Sequence, residues 1–537
     1  MKVAEAIVKY LEKENVRVVF GYPGATVVPL YEALRQSDIK HVLVRHEQAA
    51  GHSASGYARA DGSVGVCIAT SGPGATNLIT AIATAYMDSI PLVVITGQVK
   101  SNLIGKDVFQ EADIRGATDS FTKHNYLLEK AEDIPRIIKE AFFIAKTGRP
   151  GPVLIDIPLN LQNEMIDANY PEEVSIRGYK PTVSGHKGQI KKALDALKTC
   201  ERPLICVGGG VISSNAKAEL EEFINKSRIP VVHTLMGKDG INQDNDYYIG
   251  LIGSHGFPYA NKAISKADIL ILLGTRIADR ATAGSNFARN AEIIHIDIDP
   301  AEIGKNLGPT IPVVGDLKNI LMEMNKAVEA VESQNWLDEL NKLKNEHKVT
   351  VSREGLASAK VILDILTDIT DDNVILTADV GQNQIWSARN FKITGSRNFF
   401  TSGGLGTMGY SIPAAVGAKL AAPHRTVIAV MGDGGFQMSM FELGTIAENN
   451  IKLIILLFNN SGLGMVREIQ KNTYGTGNYH GVNINHNPDF VKIAEAYGLK
   501  GRKVYSNEEF EKTYREAEGS NKTFLIECII DPEEGTF

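Results

Sequence analysis

Two apolar stretches, VIAVMG from Val427 and IKLIILLF from Ile451, each run into polar residues that could hold an ion. Gly432-Asp433-Gly434 closes the first and Asn459-Asn460 the second. When such strands lie side by side in an open α/β sheet, their carboxyl ends share one crevice, which is where ligands bind. An aspartate, an asparagine and turn carbonyls form an all-oxygen donor set that suits a hard divalent cation such as Mg2+. Glycines flanking Asp433 let a diphosphate come close to the backbone. A GDG turn alone reads more simply as an ordinary strand end; the asparagine pair that follows makes the segment a candidate site.

Three further segments could carry chemistry. In RHEQAAGHSASGYARA, Glu47 falls just past a strand, at the start of a helix rich in small residues. The helix dipole favours a carboxylate there, which is reason enough for its presence. Held in an apolar crevice, the same group would be a proton relay, because burial disfavours its charged form. ATSGPGATN, from Ala69 to Asn77, is a strand-to-helix turn whose glycines permit close backbone approach. It lacks the lysine of a P-loop and is no nucleoside-triphosphatase signature. Gly208-Gly209-Gly210 follows the strand LICV and suits a dinucleotide turn, although no complete GxGxxG stands after any strand.

The elements that must position these residues alternate strand and helix along the chain, the pattern of parallel-sheet α/β domains. Strands are predicted near 16–20, 41–45, 65–70, 91–96 and 152–157 in a first section. A second has strands near 203–207, 229–233, 269–273 and 292–298, and a third near 373–377, 425–430, 452–458 and 523–530. The polar stretch 164–185, with Pro171 and Pro181, reads as a linker, and the charged helical stretch 325–348 as a connector. The expectation is three doubly wound parallel-sheet domains over 1–165, 186–340 and 358–537.

The length of 537 residues has room for about three domains. A net charge of -7 argues weakly against a nucleic-acid partner. Cys67, Cys200, Cys206 and Cys528 form neither a CxxC nor a zinc spacing and suit a reducing compartment. The amphipathic, charged N-terminus does not read as a signal peptide, and no apolar run reaches the length of a membrane span. A cytoplasmic protein without a membrane partner is expected.

Taken together, GYPGA at Gly21, RHEQAA at Arg45, ATSGPGATN at Ala69, GKDVFQE at Gly105, HIDIDPAEIGKN at His295 and TSGGLGTMGYSIPAA at Thr401, with the GDG…NN region, resemble the acetohydroxyacid (acetolactate) synthase family of thiamine diphosphate-dependent enzymes. The resemblance runs nearly the whole chain in order. It implies pyrimidine-binding, FAD-type and diphosphate-binding domains in that sequence. It implies that Glu47 contacts N1′ of the cofactor's aminopyrimidine and that Met408 holds the cofactor bent. Asp433, Asn460 and the Gly462 carbonyl would hold Mg2+, and Gln110 and Phe109 would face the intermediates. Gly21, Pro23, Gly24, Pro73, Asn77, Gln382, Gly432, Gly434, Gly435 and Met465 complete the expected thiamine diphosphate set. For FAD the matching positions are Arg149, Gly208, Gly209, Gly210, Thr234, His255, Gly274, Arg276, Asp297 and Asp316, an empty Rossmann-like domain being the alternative.

The implied reaction is decarboxylation of pyruvate and its carboligation to a second 2-oxo acid, giving 2-acetolactate. The implied assembly is a homodimer or homotetramer with active sites between subunits, and a small regulatory subunit is a further possible partner. Arg280 would recognise the acceptor's carboxylate, unless it is a surface arginine in a salt bridge. Several pocket positions depart from the family: Lys100-Ser101-Asn102, Leu159, Ala278, Asn383, and Ile469 where a tryptophan is usual. The sequence also ends at DPEEGTF without the longer tail expected over the site. Loss of the tryptophan should weaken preference for 2-oxobutanoate, since one methylene is worth only about 1–3 kcal/mol in an apolar pocket. The alternatives are a related thiamine-dependent 2-oxo acid decarboxylase or lyase, or a non-catalytic flavin- or thiamine-binding protein.

Overall fold

The computed structural model describes residues 1–282, 287–347 and 356–536. Lys348, the end of the expected connector, and Phe537, the last residue of the expected third domain, lie outside the described residues. Among the described residues, eighteen strands form three six-stranded sheets in which every neighbouring pair is parallel.

The first sheet contains β1 (Val18–Tyr22), β2 (Lys40–Leu43), β3 (Gly65–Ala69), β4 (Leu92–Gln98), β5 (His124–Leu127) and β6 (Pro152–Pro158), in the order β2-β1-β3-β4-β6-β5. The second contains β7 (Pro203–Val207), β8 (Val231–His233), β9 (Tyr248–Leu251), β10 (Ile269–Leu273), β11 (Glu292–Asp297) and β12 (Ile311–Val314), ordered β12-β11-β10-β7-β8-β9. The third contains β13 (Val374–Ala378), β14 (Asn398–Thr401), β15 (Thr426–Gly432), β16 (Ile454–Asn459), β17 (Lys500–Val504) and β18 (Phe524–Ile529), ordered β14-β13-β15-β16-β18-β17. The outer sheets share one winding and the middle sheet has the 3-2-1-4-5-6 order of a dinucleotide-binding fold. The strand order switches direction at β1/β3, β7/β10 and β13/β15, and these switch points open the crevices; the outer sheets turn back once more at their β6-β5 and β18-β17 edges.

The central strands are continuous runs of Val, Ile and Leu, buried on both faces by helices. The strands the sequence reading overlooked, β5, β9, β12, β14 and β17, all lie at sheet edges, where HNYL or KGRKV need bury only part of each side chain.

Both expected connecting segments turn out to be packed. Residues 166–179 pack on the first domain, where Ile166 is buried and Tyr170 stacks on Tyr10 at 4.5 Å, and the Val183 carbonyl accepts from Asp316 and Asn319 of the second. The helix Gln334–Asn345 buries Trp336, Leu337 and Leu340 against the second sheet, and the Trp336 indole donates to the Pro203 carbonyl. Apolar residues at helical spacing among the charges reversed that expectation. Among the described residues, no helix is long and apolar enough to cross a membrane.

The first and third sheets are joined through the helices Glu47–Asp61 and Ser411–Ala421, which cross backbone to backbone in antiparallel sense. Gly56 lies against Ala414 and Gly417 against Ser53 and Tyr57. The small residues noted around Glu47 therefore serve a close interdomain joint.

Candidate active site

The β1/β3 crevice holds the first half of the site. Glu47 is the first residue of its helix, and His46 caps that helix by accepting from the Gln48 amide. The Glu47 carboxylate accepts a hydrogen bond of 2.9 Å from the Asn77 side chain. Pro73 opens the short helix Pro73–Asn77, and a methyl group at Gly74 would lie 3.3 Å from Glu47 Oε1. Gly24 packs on Thr70, and Gly72 lies against Gln110, which adopts a left-handed φ of 59°. A left-handed non-glycine residue is strained, and such strain gathers at functional positions. Gly21 lies within β1 against Tyr31 and Ile68, so it serves packing, and Pro23 stands in the turn beyond. Phe109 is 88% exposed.

The β13/β15 crevice holds the second half. Gly432 ends β15 and Asp433 begins the short helix Asp433–Gln437. Asp433 is buried, which pushes its carboxyl up against the opposing pull of Asn487 and neighbouring amides. Its Oδ2 accepts from Asn487 at 2.6 Å, while its Oδ1 is buried without a hydrogen-bond partner. Asn460 donates to Gln382 at 3.1 Å, leaving its oxygen free for a cation. The Gly462 carbonyl accepts from the Gly464 amide and retains a second lone pair. A methyl group at Gly434 would stand 3.6 Å from Met408 Cε, so Met408 lies over the GDG turn. Asn459 turns away from this set, its amide donating to the buried Glu527.

Three residues that sequence reasoning passed over organise the halves. Asp379, fully buried just past β13, accepts from the amides of Gly409 and Ser411 and so anchors the Met408 loop. Burial pushes it up to about 6. A methyl at Gly435 would lie 2.8 Å from Asp379 Oδ1, which ties the same carboxylate to the GDG helix. Its strand-end position was the same signal that marked Asp433. Glu442, buried and pushed up to about 7 by that burial, accepts from the Arg45 amide two residues before Glu47. Asn487 is the third, and no local motif announces it.

The β7/β10 crevice opens into a cavity of about 870 Å³. Arg149, Gly209, Gly210, Thr234, His255, Gly274, Arg276, Asp297 and Asp316 line it, whereas Gly208 does not and instead packs against Gly274 and Thr275. Arg149 is held by Ser89 and Glu302, at 2.9 and 2.8 Å. Burial and the neighbouring Arg149 charge lower the Arg276 guanidinium below its ordinary value. Asp297 is pushed up to about 6 by burial, and Asp316 also caps the helix Leu317–Asn325. Ile277, a β-branched residue at φ 49°, marks a strained turn here. The cavity continues to Arg280, Ile469 and Met465, so Met465 faces this space. The Arg280 side chain is largely exposed, with its nearest carboxylate, Asp279, at 4.0 Å.

Comparison with known proteins matches residues 1–117 to the thiamine pyrophosphate enzyme N-terminal TPP binding domain, 190–324 to the central domain and 379–528 to the C-terminal TPP binding domain. The chain is 47% identical to the probable acetolactate synthase large subunit of Methanocaldococcus jannaschii, over 99% of this chain and 93% of that one. It is 42% identical to the acetolactate synthase large subunit of Haemophilus influenzae and 42% identical to the acetolactate synthase of Arthrospira platensis, each over 99% of this chain and 95% of the relative.

Proposed function

The chain belongs to the thiamine diphosphate-dependent enzymes and, among them, to the acetolactate synthases, and from that premise we propose that its two half-sites close over one cofactor between two copies of the chain. It is an enzyme that joins two molecules of pyruvate, with loss of CO2, into 2-acetolactate.

The observation that carries the two-copy reading is the antiparallel helix joint. Arg59, three turns beyond Glu47, reaches the Thr401 carbonyl and the Tyr410 hydroxyl, at the end of the partner helix nearest Met408. At about 1.5 Å per residue, Glu47 stands roughly 18 Å along the axis from that end. One chain therefore carries Glu47 away from its own Met408 and Asp433, and a second copy supplies the missing half.

Thiamine diphosphate, when bound, supplies a nucleophilic carbon and an electron sink for the decarboxylation of pyruvate. Glu47, steadied by Asn77, holds and returns a proton at N1′ of the aminopyrimidine. Met408, beside the GDG turn, would hold the cofactor bent, and Asp379 fixes the loop that carries it. Asp433, Asn460 and Gly462 would hold Mg2+ against the diphosphate. The donor set fits, because the buried, unpartnered Asp433 oxygen calls for a cation. Gln110 and Phe109 would face the reacting carbons, and Arg280 would take the carboxylate of the acceptor.

FAD fits the β7/β10 cavity. Arg149 and Arg276 offer two positive groups to its diphosphate, and Gly209 and Gly210 allow close approach. Acetolactate formation involves no net redox change, so the flavin is structural. The name large subunit borne by relatives implies a smaller partner, and we extend that partner, with a regulatory role, to this enzyme.

Purified protein incubated with pyruvate, thiamine diphosphate and Mg2+ should yield acetolactate; acetaldehyde as the main product would overturn the reaction. Glu47→Gln should bind thiamine diphosphate nearly as well yet lose about 10²–10⁴-fold in turnover, the worth of a positioned acid–base group. Unchanged turnover would refute its role.

A further inference from the structure

We propose that Asn487 is a positioning residue that makes Asp433 a one-oxygen ligand and so tunes the cation site for Mg2+ over Ca2+. The proposal rests on the reading of Asp433, Asn460 and Gly462 as the ligands.

Asn487 belongs to neither the GDG nor the NN segment; it stands in the loop between Val482 and the helix Phe490–Ala496. Its Nδ2 lies 2.6 Å from Asp433 Oδ2 and 3.2 Å from Asn459 Oδ1. Its Oδ1 accepts from Gln437 Nε2 at 3.1 Å. An ionised carboxylate only accepts, so the nitrogen must face it and the amide orientation is determined. The brace behind Asn487 is firm. Asn459 is itself held by Glu527 at 2.8 Å and by the Ser461 amide at 3.0 Å, and Gln437 returns to the Asp433 carbonyl.

The two Asp433 oxygens are thereby made unequal. Oδ2 is engaged by a short charge-assisted bond, and Oδ1 is left buried and unpartnered. Mg2+ needs near-octahedral geometry with short single contacts, whereas Ca2+ takes more oxygens and accepts a carboxylate through both of its own. Holding back Oδ2 denies the second mode. Groups that orient metal ligands in this way typically contribute about 10–100-fold in affinity.

The test is calorimetric titration of Mg2+ and Ca2+ into metal-stripped protein saturated with thiamine diphosphate, which reads affinity without turnover. Asn487→Ala should weaken Mg2+ about tenfold or more and Ca2+ much less, moving the Mg2+/Ca2+ ratio toward Ca2+. Asn487→Asp, nearly the same shape without the donor, should move the ratio the same way and covers the case in which the alanine variant does not fold. An unchanged ratio in either folded variant overturns the proposal. Asp433→Ala separates the two readings: if it still binds Mg2+ like the parent protein, the ligand assignment itself falls.

Discussion

Gly417→Ala is the substitution that most directly probes how the halves of this enzyme are held. A methyl group at Gly417 would lie 2.7 Å from the Tyr57 nitrogen and closer still to the Ser53 carbonyl oxygen. Both are backbone atoms of the helix that starts at Glu47, so no side chain can swing aside. An ordinary contact needs about 3.4 Å, and the helices must therefore part by roughly 1 Å or more along a joint whose residues are almost all buried. Overpacking of this kind costs about 1–3 kcal/mol, occasionally more. For sheet domains of this size that is a fall in Tm of roughly 2–10 °C, read by differential scanning fluorimetry. Turnover should fall with it, since the parting helix carries Glu47. Gly519→Ala is the control. A methyl there meets nothing within 4 Å, at the end of the helix Asn507–Gly519, and should be neutral or stabilise by up to about 1 kcal/mol. Equal Tm values for the two variants would refute the account of the joint.

Three further outcomes are expected. Ile469 is 51% exposed and lines the cavity; Ile469→Trp should narrow it and raise selection of 2-oxobutanoate over pyruvate, by about 5–150-fold for 1–3 kcal/mol, in a competition assay read from product ratios. A parent enzyme already strongly selective for 2-oxobutanoate would contradict the premise. Arg276→Met should weaken FAD about 10–150-fold, the worth of one charge-assisted hydrogen bond, in a flavin fluorescence titration; unchanged affinity would remove Arg276 from the site. Glu442 rises from an ordinary 4.5 to about 7 on folding, so its contribution to stability is complete below 4.5 and is lost as pH rises to about 7. Glu442→Gln should flatten the fall in urea midpoint across that window, and an unaltered profile would refute the titration.

The chemistry of the site was legible in one dimension wherever it depends on a short run of chain. An apolar strand that runs into a polar or glycine turn is a local pattern, and it places Glu47, Asp433, Asn460 and the Gly208–Gly210 turn beyond carboxyl ends without knowledge of any neighbour. The buried middle strands were legible for the same reason, since β10 (ILILL) must be covered on both faces wherever it lies. Edge strands other than β2 were not. HNYL and KGRKV become strands because a neighbour offers hydrogen bonds, not because their own pattern demands it. The same limit hid Asn487, whose meaning comes from an aspartate and a glutamine some fifty residues earlier in the chain. It also hid Glu442, whose partner Arg45 lies in another domain. Residue type and spacing state what chemistry a segment can do. Which oxygen of Asp433 is left free, and that Glu47 is carried away from its own Asp433, follow only from the packing of separate segments, because those contacts form between surfaces that no single stretch of sequence contains.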